Sequence, residues 1–264
     1  MILRAARLML LLVAPALPAW TAESVLTLTP RPGAALRVLV DRPAAPVGSI
    51  VLMAGGDGVL DLDAQGNIGS GLRENHLVRT RAAYVKAGYA VFVPDVASDQ
   101  RGTRAYRFSS AYANDLAAVI AEARKVAPPV AIVGTSRGAL SVAAVFAKQS
   151  AVRPDAAVIS SGVLMGAESG GSASTLGDTS RINVPMLLLR HRLDGCRVTP
   201  PADADRFKAL LTGAPKVDIV TLEGGGPKSS AADPCGASHY HGFYGIDDQA
   251  VAATVQWLRA NMRR

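Results

Sequence analysis

Val130-Ala131-Ile132-Val133-Gly134-Thr135-Ser136-Arg137-Gly138-Ala139-Leu140-Ser141-Val142-Ala143-Ala144-Val145-Phe146 is the stretch that decides the fold. It opens as a continuous apolar run, passes through a turn of small residues and continues as a pattern that suits a helix. A strand, a sharp turn and a helix are implied. A serine at such a turn has a strained backbone and a hydroxyl projecting from the sheet edge, while Gly134 and Gly138 let strand and helix approach closely. An ordinary strand-to-helix turn fits the same five residues in a chain with 25 glycines among 264 residues, so the remaining sequence has to discriminate.

Further short β-type runs lie on either side: Leu36 to Val40, Ile50 to Met53, Ala90 to Val93, Ala157 to Ser160, Met186 to Leu189 and Val217 to Leu222. Several are apolar without alternation, as strands buried on both faces are, and helical patterns separate them. This predicts an α/β fold with a mainly parallel central sheet flanked by helices. Ser109 to Val126 places Tyr112, Leu116, Val119, Ile120 and Ala123 on one face, with Ser109 or Ser110 as cap. A last helix is expected from Asp247 to Met262, its two acids in the first turn where the helix dipole favours them. Gly55 to Asn75 and Val163 to Arg181 read as surface loops, and long loops in compact domains are often functional. There is no internal repeat.

Residues 1–22 carry Arg4 and Arg7, then the run Leu8 to Ala14, then small residues and prolines. This is the pattern of an export signal peptide cleaved after Ala16, Ala19 or Ala22, and its apolar core is shorter than the roughly 20 residues of a spanning helix. Residues 23–264 are then expected to form one domain without stable membrane insertion, periplasmic or extracellular. The formal charge of +7 falls to +5 without the leader, and the remaining cations are dispersed, so no nucleic-acid-binding stripe is present. The two cysteines, Cys196 and Cys235, are expected to form a disulfide, closing a loop of about 40 residues worth roughly 4 kcal/mol in the chain-entropy description. No C-x-x-C or H-x-x-x-H spacing points to a metal, and Gly55-Gly56-Asp57-Gly58 lacks both the Lys-Ser/Thr ending and the G-x-G-x-x-G spacing of nucleotide loops. No cofactor is implied.

An alcohol is a weak nucleophile, so a reactive Ser136 needs a base. Of the four histidines, His76 and His191 read as structural or surface residues, which leaves His239 and His241 in the loop before the last helix. The imidazole needs an orienting acid, and Asp194 sits just past the strand Met186 to Leu189. Strand C-terminal ends share one edge in a parallel sheet, so Ser136, Asp194 and a histidine converge there.

With these residues in place the chain resembles a secreted serine esterase of the α/β-hydrolase superfamily, over nearly all its mature length. The resemblance rests on Gly55-Gly56 after a strand, the elbow at Ser136, the acid after a later strand, and His241-Gly242-Phe243, which is similar to the catalytic-histidine loop of dienelactone-hydrolase-like enzymes. It implies the catalytic set Ser136, Asp194 and His241, and an oxyanion hole from the N–H of Arg137 with Gly56, or Asp57 next to it. Ala54 stands where related esterases carry a histidine. The short interval between the Ala157 and Met186 strands implies no separate lid domain. Arg137 is expected to brace the elbow through Asp57 or Asp99, or else to meet a substrate carboxylate. The expected function is hydrolysis of a small-molecule carboxylic ester through an acyl-enzyme. The alternatives are an amidase or exopeptidase with the same residues, or a non-catalytic binding protein on this scaffold.

Overall fold

Burial on both faces shapes the centre of the molecule: β3 (Ser49–Met53), β4 (Ala90–Pro94), β5 (Val130–Thr135) and β6 (Ala156–Ser160) are buried at every residue. β1 (Ser24–Arg31), β2 (Ala34–Asp41), β7 (Met186–His191) and β8 (Val217–Leu222) complete one eight-stranded sheet, in the order β1-β2-β4-β3-β5-β6-β7-β8. β2 pairs antiparallel with β1 and β4, and every other pairing is parallel. The computed structural model describes residues 22–103, 105–147, 152–166 and 171–262; the expected leader, apart from Ala22, lies outside them.

Helices cover both faces. α3 (Ser110–Val126), α4 (Gly138–Ala147) and α5 (Asp203–Leu210) pack on one side, and α1 (His76–Arg79), α2 (Arg81–Lys86) and α6 (Asp247–Asn261) on the other. The period-two strand geometry divides the core between them: Val51 and Met53 face the α3–α4 side, Ile50 and Leu52 the α6 side. Ser109 caps α3 by accepting the Tyr112 N–H at 3.0 Å, a contact worth about 1 kcal/mol.

The sequence reading missed β1. No residue of this edge strand is fully buried, and its apolar positions Val25, Leu26 and Leu28 are too few to stand out as a run. The Gly55–Asn75 stretch is a loop up to α1, and it is pinned. Asp95 at the end of β4 accepts the N–H groups of Leu60 (2.7 Å) and Leu62 (3.0 Å), and Arg37 donates to the Leu62 carbonyl. Between β6 and β7 the described residues form only two single-turn 3-10 helices, Ala173–Thr175 and Thr179–Arg181, so no lid domain stands there. Among the described residues no helix is long and apolar enough to cross a membrane.

Candidate active site

β5 runs directly into a turn in which Ser136 has φ of 53°, the left-handed region that a non-glycine residue occupies at a cost on the order of 1–3 kcal/mol. The surroundings hold it there. Its N–H donates to the Ser160 carbonyl (3.0 Å), and its carbonyl accepts from Ala139 and Val163 (3.1 Å each). The glycines are required by contact: a Cβ on Gly134 would meet the Gly138 carbonyl oxygen at 2.4 Å, and one on Gly138 would meet the Met53 carbonyl oxygen at 2.3 Å. Strand β5, helix α4 and the end of β3 therefore touch backbone to backbone, which presents the serine at the sheet edge.

Asp194 and His241 reach each other from the loops after β7 and β8. His241 Nδ1 lies 3.0 Å from Asp194 Oδ2, and both residues are buried. The carboxylate is fixed at both oxygens. Its Oδ1 accepts the Cys196 backbone N–H (2.9 Å), and its Oδ2 also accepts the Thr199 hydroxyl (3.0 Å), which itself stands 3.0 Å from His241 Nδ1. With Nδ1 directed at the carboxylate, Nε2 is the ring nitrogen left for proton transfer. Cys196 and Cys235 form a disulfide, so the turn carrying the acid is covalently joined to the loop carrying the histidine.

Ser136 and His241 line one cavity of about 190 Å³, together with Gly56, Asn75, His76 and Cys235. Gly56, with φ of 54°, and Asp57 are the exposed residues of the turn after β3, and Arg107 steadies that turn by donating from Nη2 to the Ala54 carbonyl (3.0 Å). Asp57, the neighbouring oxyanion candidate, turns its Oδ1 to the Val59 N–H. Arg137 follows Ser136 at the elbow, and Asp99 forms a bidentate pair with Arg31.

The other histidines have distinct settings. His191 is wholly buried, accepts the Leu193 N–H at Nδ1, bonds the Gly224 carbonyl through Nε2 and stacks on Tyr240, a structural part of the histidine loop. His239 is not in the wall of the Ser136 cavity. His76 is in that wall and bonds Asp247 at 3.0 Å, and burial holds its pKa below the usual histidine value.

Four residues of this site were not singled out from sequence. Thr199 supports both Asp194 and His241, and a hydroxyl five positions after an acid carries no motif. Asn75 lines the cavity with its Oδ1 buried and unpartnered. Arg79 ties α1 to the histidine loop through the Ala237 (3.1 Å) and Gly242 (2.6 Å) carbonyls and to α6 through Asp247. Arg107 braces the turn after β3. Thr199, Arg79 and Arg107 act through contacts between segments far apart in the chain, and Asn75 lines a cavity that such segments enclose, which local spacing does not reveal.

No known protein family and no curated protein matches the sequence. Solved structures do match the fold. The chain is similar to dienelactone hydrolase from Anabaena variabilis (16% identity, 92% of this chain and 99% of that one, TM-score 0.60) and to an esterase of Pyrococcus furiosus (12%, 92% and 92%, 0.65). It is also similar to the thermophilic esterase Est2 of the Planctomycetes species Thermogutta terrifontis, whose structure has butyrate bound (14%, 90% and 94%, 0.59). An eight-stranded, mostly parallel sheet with flanking helices, superposable on a dienelactone hydrolase and on esterases, gives this chain the α/β-hydrolase fold.

Proposed function

We propose that this protein is an exported serine hydrolase that cleaves carboxylic esters of small molecules, with Ser136 as nucleophile, His241 as base and Asp194 as its orienting acid. Residues 1–22 are its cleaved leader and residues 23–264 its single catalytic domain. One observation carries the reading: a serine held in a left-handed turn shares a cavity with an imidazole whose Nδ1 is held by a buried carboxylate. The esterases among the similar structures support an ester as the substrate class.

In the mechanism, His241 Nε2 takes the Ser136 hydroxyl proton as Oγ attacks the ester carbonyl carbon. The charge that develops on the carbonyl oxygen is met by the N–H groups of Arg137 and Gly56. As the tetrahedral intermediate collapses, His241 returns the proton to the departing alkoxide and the acyl group remains on Ser136. Water then enters, gives a proton to His241 and hydroxide to the acyl carbon, and as this second intermediate collapses His241 returns the proton to the departing Ser136 Oγ and the acid is released. Asp194 holds the proton on Nδ1 throughout and stabilises the imidazolium. Thr199 and the Cys196 N–H keep the carboxylate in place.

The test is hydrolysis of p-nitrophenyl butyrate and of the matched anilide, with fluorophosphonate labelling in parallel. Wild type is expected to turn over the ester faster than the anilide and to be labelled at Ser136, and Ser136→Ala to do neither. A Ser136→Ala protein with wild-type turnover would end the proposal.

A further inference from the structure

A second, larger cavity of about 830 Å³ lies beyond the turn after β3, and Gly56 borders both spaces. Val59, Val96, Thr103, Tyr106, Arg107 and Arg137 form much of its wall. Arg107 is only 5% exposed. Its Nη2 donates to the Ala54 carbonyl, while its Nη1 is buried and has no hydrogen-bond partner. Among the described residues no carboxylate pairs with it. Asp57 shares the cavity wall, but its Oδ1 takes the Val59 N–H and it forms no ion pair with Arg107.

A guanidinium keeps its charge in a protein, and a buried charge without a counterion is strongly disfavoured. Burial indeed lowers the pKa of Arg107 from the usual arginine value. The charge makes sense if a partner arrives with the ligand, because carboxylates match the guanidinium fork.

The position of this cavity says which half of an ester would bring it. His241 has to protonate the leaving oxygen, so the alcohol departs on the side of the smaller cavity that His241 lines. The acyl chain then points away from His241, past Gly56, into the larger cavity. Val59 and Val96 offer apolar wall to methylene groups on the way.

Resting on the hydrolase reading above, we propose that the larger cavity is an acyl subsite for a carboxylate, with Arg107 its counterion, so that the preferred substrates are half-esters of dicarboxylic acids. The experiment compares p-nitrophenyl half-esters of succinate, adipate and suberate with the neutral butyrate, hexanoate and octanoate esters. Wild type is expected to favour at least one acidic ester over its neutral counterpart by on the order of tenfold to a hundredfold in kcat/KM. Arg107→Met should remove that preference. Because Arg107 also braces the turn, the ratio between esters is the readout, since damage common to both cancels. Thr103→Glu, on an exposed part of the wall, brings negative charge without touching the brace and should depress the acidic esters more than the neutral ones.

Calorimetry of monomethyl adipate with Ser136→Ala, against Ser136→Ala combined with Arg107→Met, reads the subsite without turnover. Tighter binding to the protein retaining Arg107 is expected. Equal ratios in wild type and Arg107→Met, with fluorophosphonate labelling intact, overturn the subsite and leave the hydrolase reading standing. Absent labelling and turnover defeat the hydrolase reading instead, and equal binding in the two calorimetric variants then defeats the subsite separately.

Discussion

Asp194→Asn is the sharpest test of the proposed proton path, because the surroundings of Asp194 dictate which way the new amide must face. The carboxylate meets a fixed backbone donor at Oδ1, the Cys196 N–H at 2.9 Å, and at Oδ2 it meets His241 Nδ1 and the Thr199 hydroxyl, each at 3.0 Å. An asparagine has one oxygen and one NH₂ to share between these positions. The Cys196 N–H cannot become an acceptor, so the amide oxygen must go there. The NH₂ then faces His241 Nδ1, which has to accept, and the Thr199 hydroxyl can rotate to accept as well. His241 is forced into the tautomer with its proton on Nε2, the atom that must receive the Ser136 proton. The substitution is nearly isosteric and keeps a bond at each position, so the fold survives while the base is disabled. The corresponding change in a serine protease lowers kcat by roughly 10⁴, equivalent to about 5.5 kcal/mol of barrier, and a loss on that order with little change in KM is expected here. The assay is steady-state hydrolysis of p-nitrophenyl butyrate, with the His241 tautomer read from imidazole nitrogen NMR shifts. A loss of less than about tenfold, or a His241 still protonated at Nδ1, would falsify the argument.

Three other perturbations probe what holds the site. Converting Cys196 and Cys235 together to serine removes a crosslink spanning 39 residues and should cost up to about 4 kcal/mol in urea unfolding, with a several-fold fall in kcat per fluorophosphonate-titrated site; unchanged stability would show that the tether is redundant. Gly134→Ala places a Cβ 2.4 Å from the Gly138 oxygen, and separating strand from helix should cost about 1–3 kcal/mol or more and abolish Ser136 labelling, whereas normal labelling and melting would mean the elbow relaxes freely. Because burial lowers the His76 pKa, the unfolded chain binds the proton more readily than the native one. Stability is therefore retained above about pH 6.5 and lost as pH falls below it. His76→Gln should flatten the change in urea midpoint between about pH 7 and about pH 5, and an unaltered slope would exclude His76 as its source.

The site is tethered from several directions. The disulfide joins the acid turn to the histidine loop, Arg79 grips the same loop through two carbonyls, and Thr199 closes the gap between acid and imidazole. His76 and Arg79 share Asp247 at the first turn of α6, so the short helix α1 positions the histidine loop and also contributes a wall of the Ser136 cavity. Such cross-links suit a chemistry in which small displacements of the reacting groups are expensive in rate.

Much of the sheet was legible because its central strands are buried on both faces and so are written as uninterrupted apolar runs. The elbow was legible for a related reason. Backbone contact at 2.3–2.4 Å from a would-be Cβ leaves only glycine at positions 134 and 138, and a rule that strict survives in the sequence as a motif. Strand β1 was not legible, since an edge strand that is nowhere fully buried needs few apolar residues. The pairing of the two cysteines was readable from their number taken with the expected export to an oxidising compartment.

By itself, then, the sequence determined the layered α/β architecture, the turn at Ser136 and a short choice of partners for it, because hydrophobic periodicity and the Gly134–Gly138 contact are local. Tertiary structure alone decided which partners meet: that Asp194 is gripped by Thr199 and the Cys196 N–H, that His76 and Asn75 face the same space as Ser136, and that Arg107 is buried without a counterion beside a second cavity. Those facts depend on where separate loops converge after folding, and no spacing along the chain encodes the distance between residues that only the folded sheet brings to one edge.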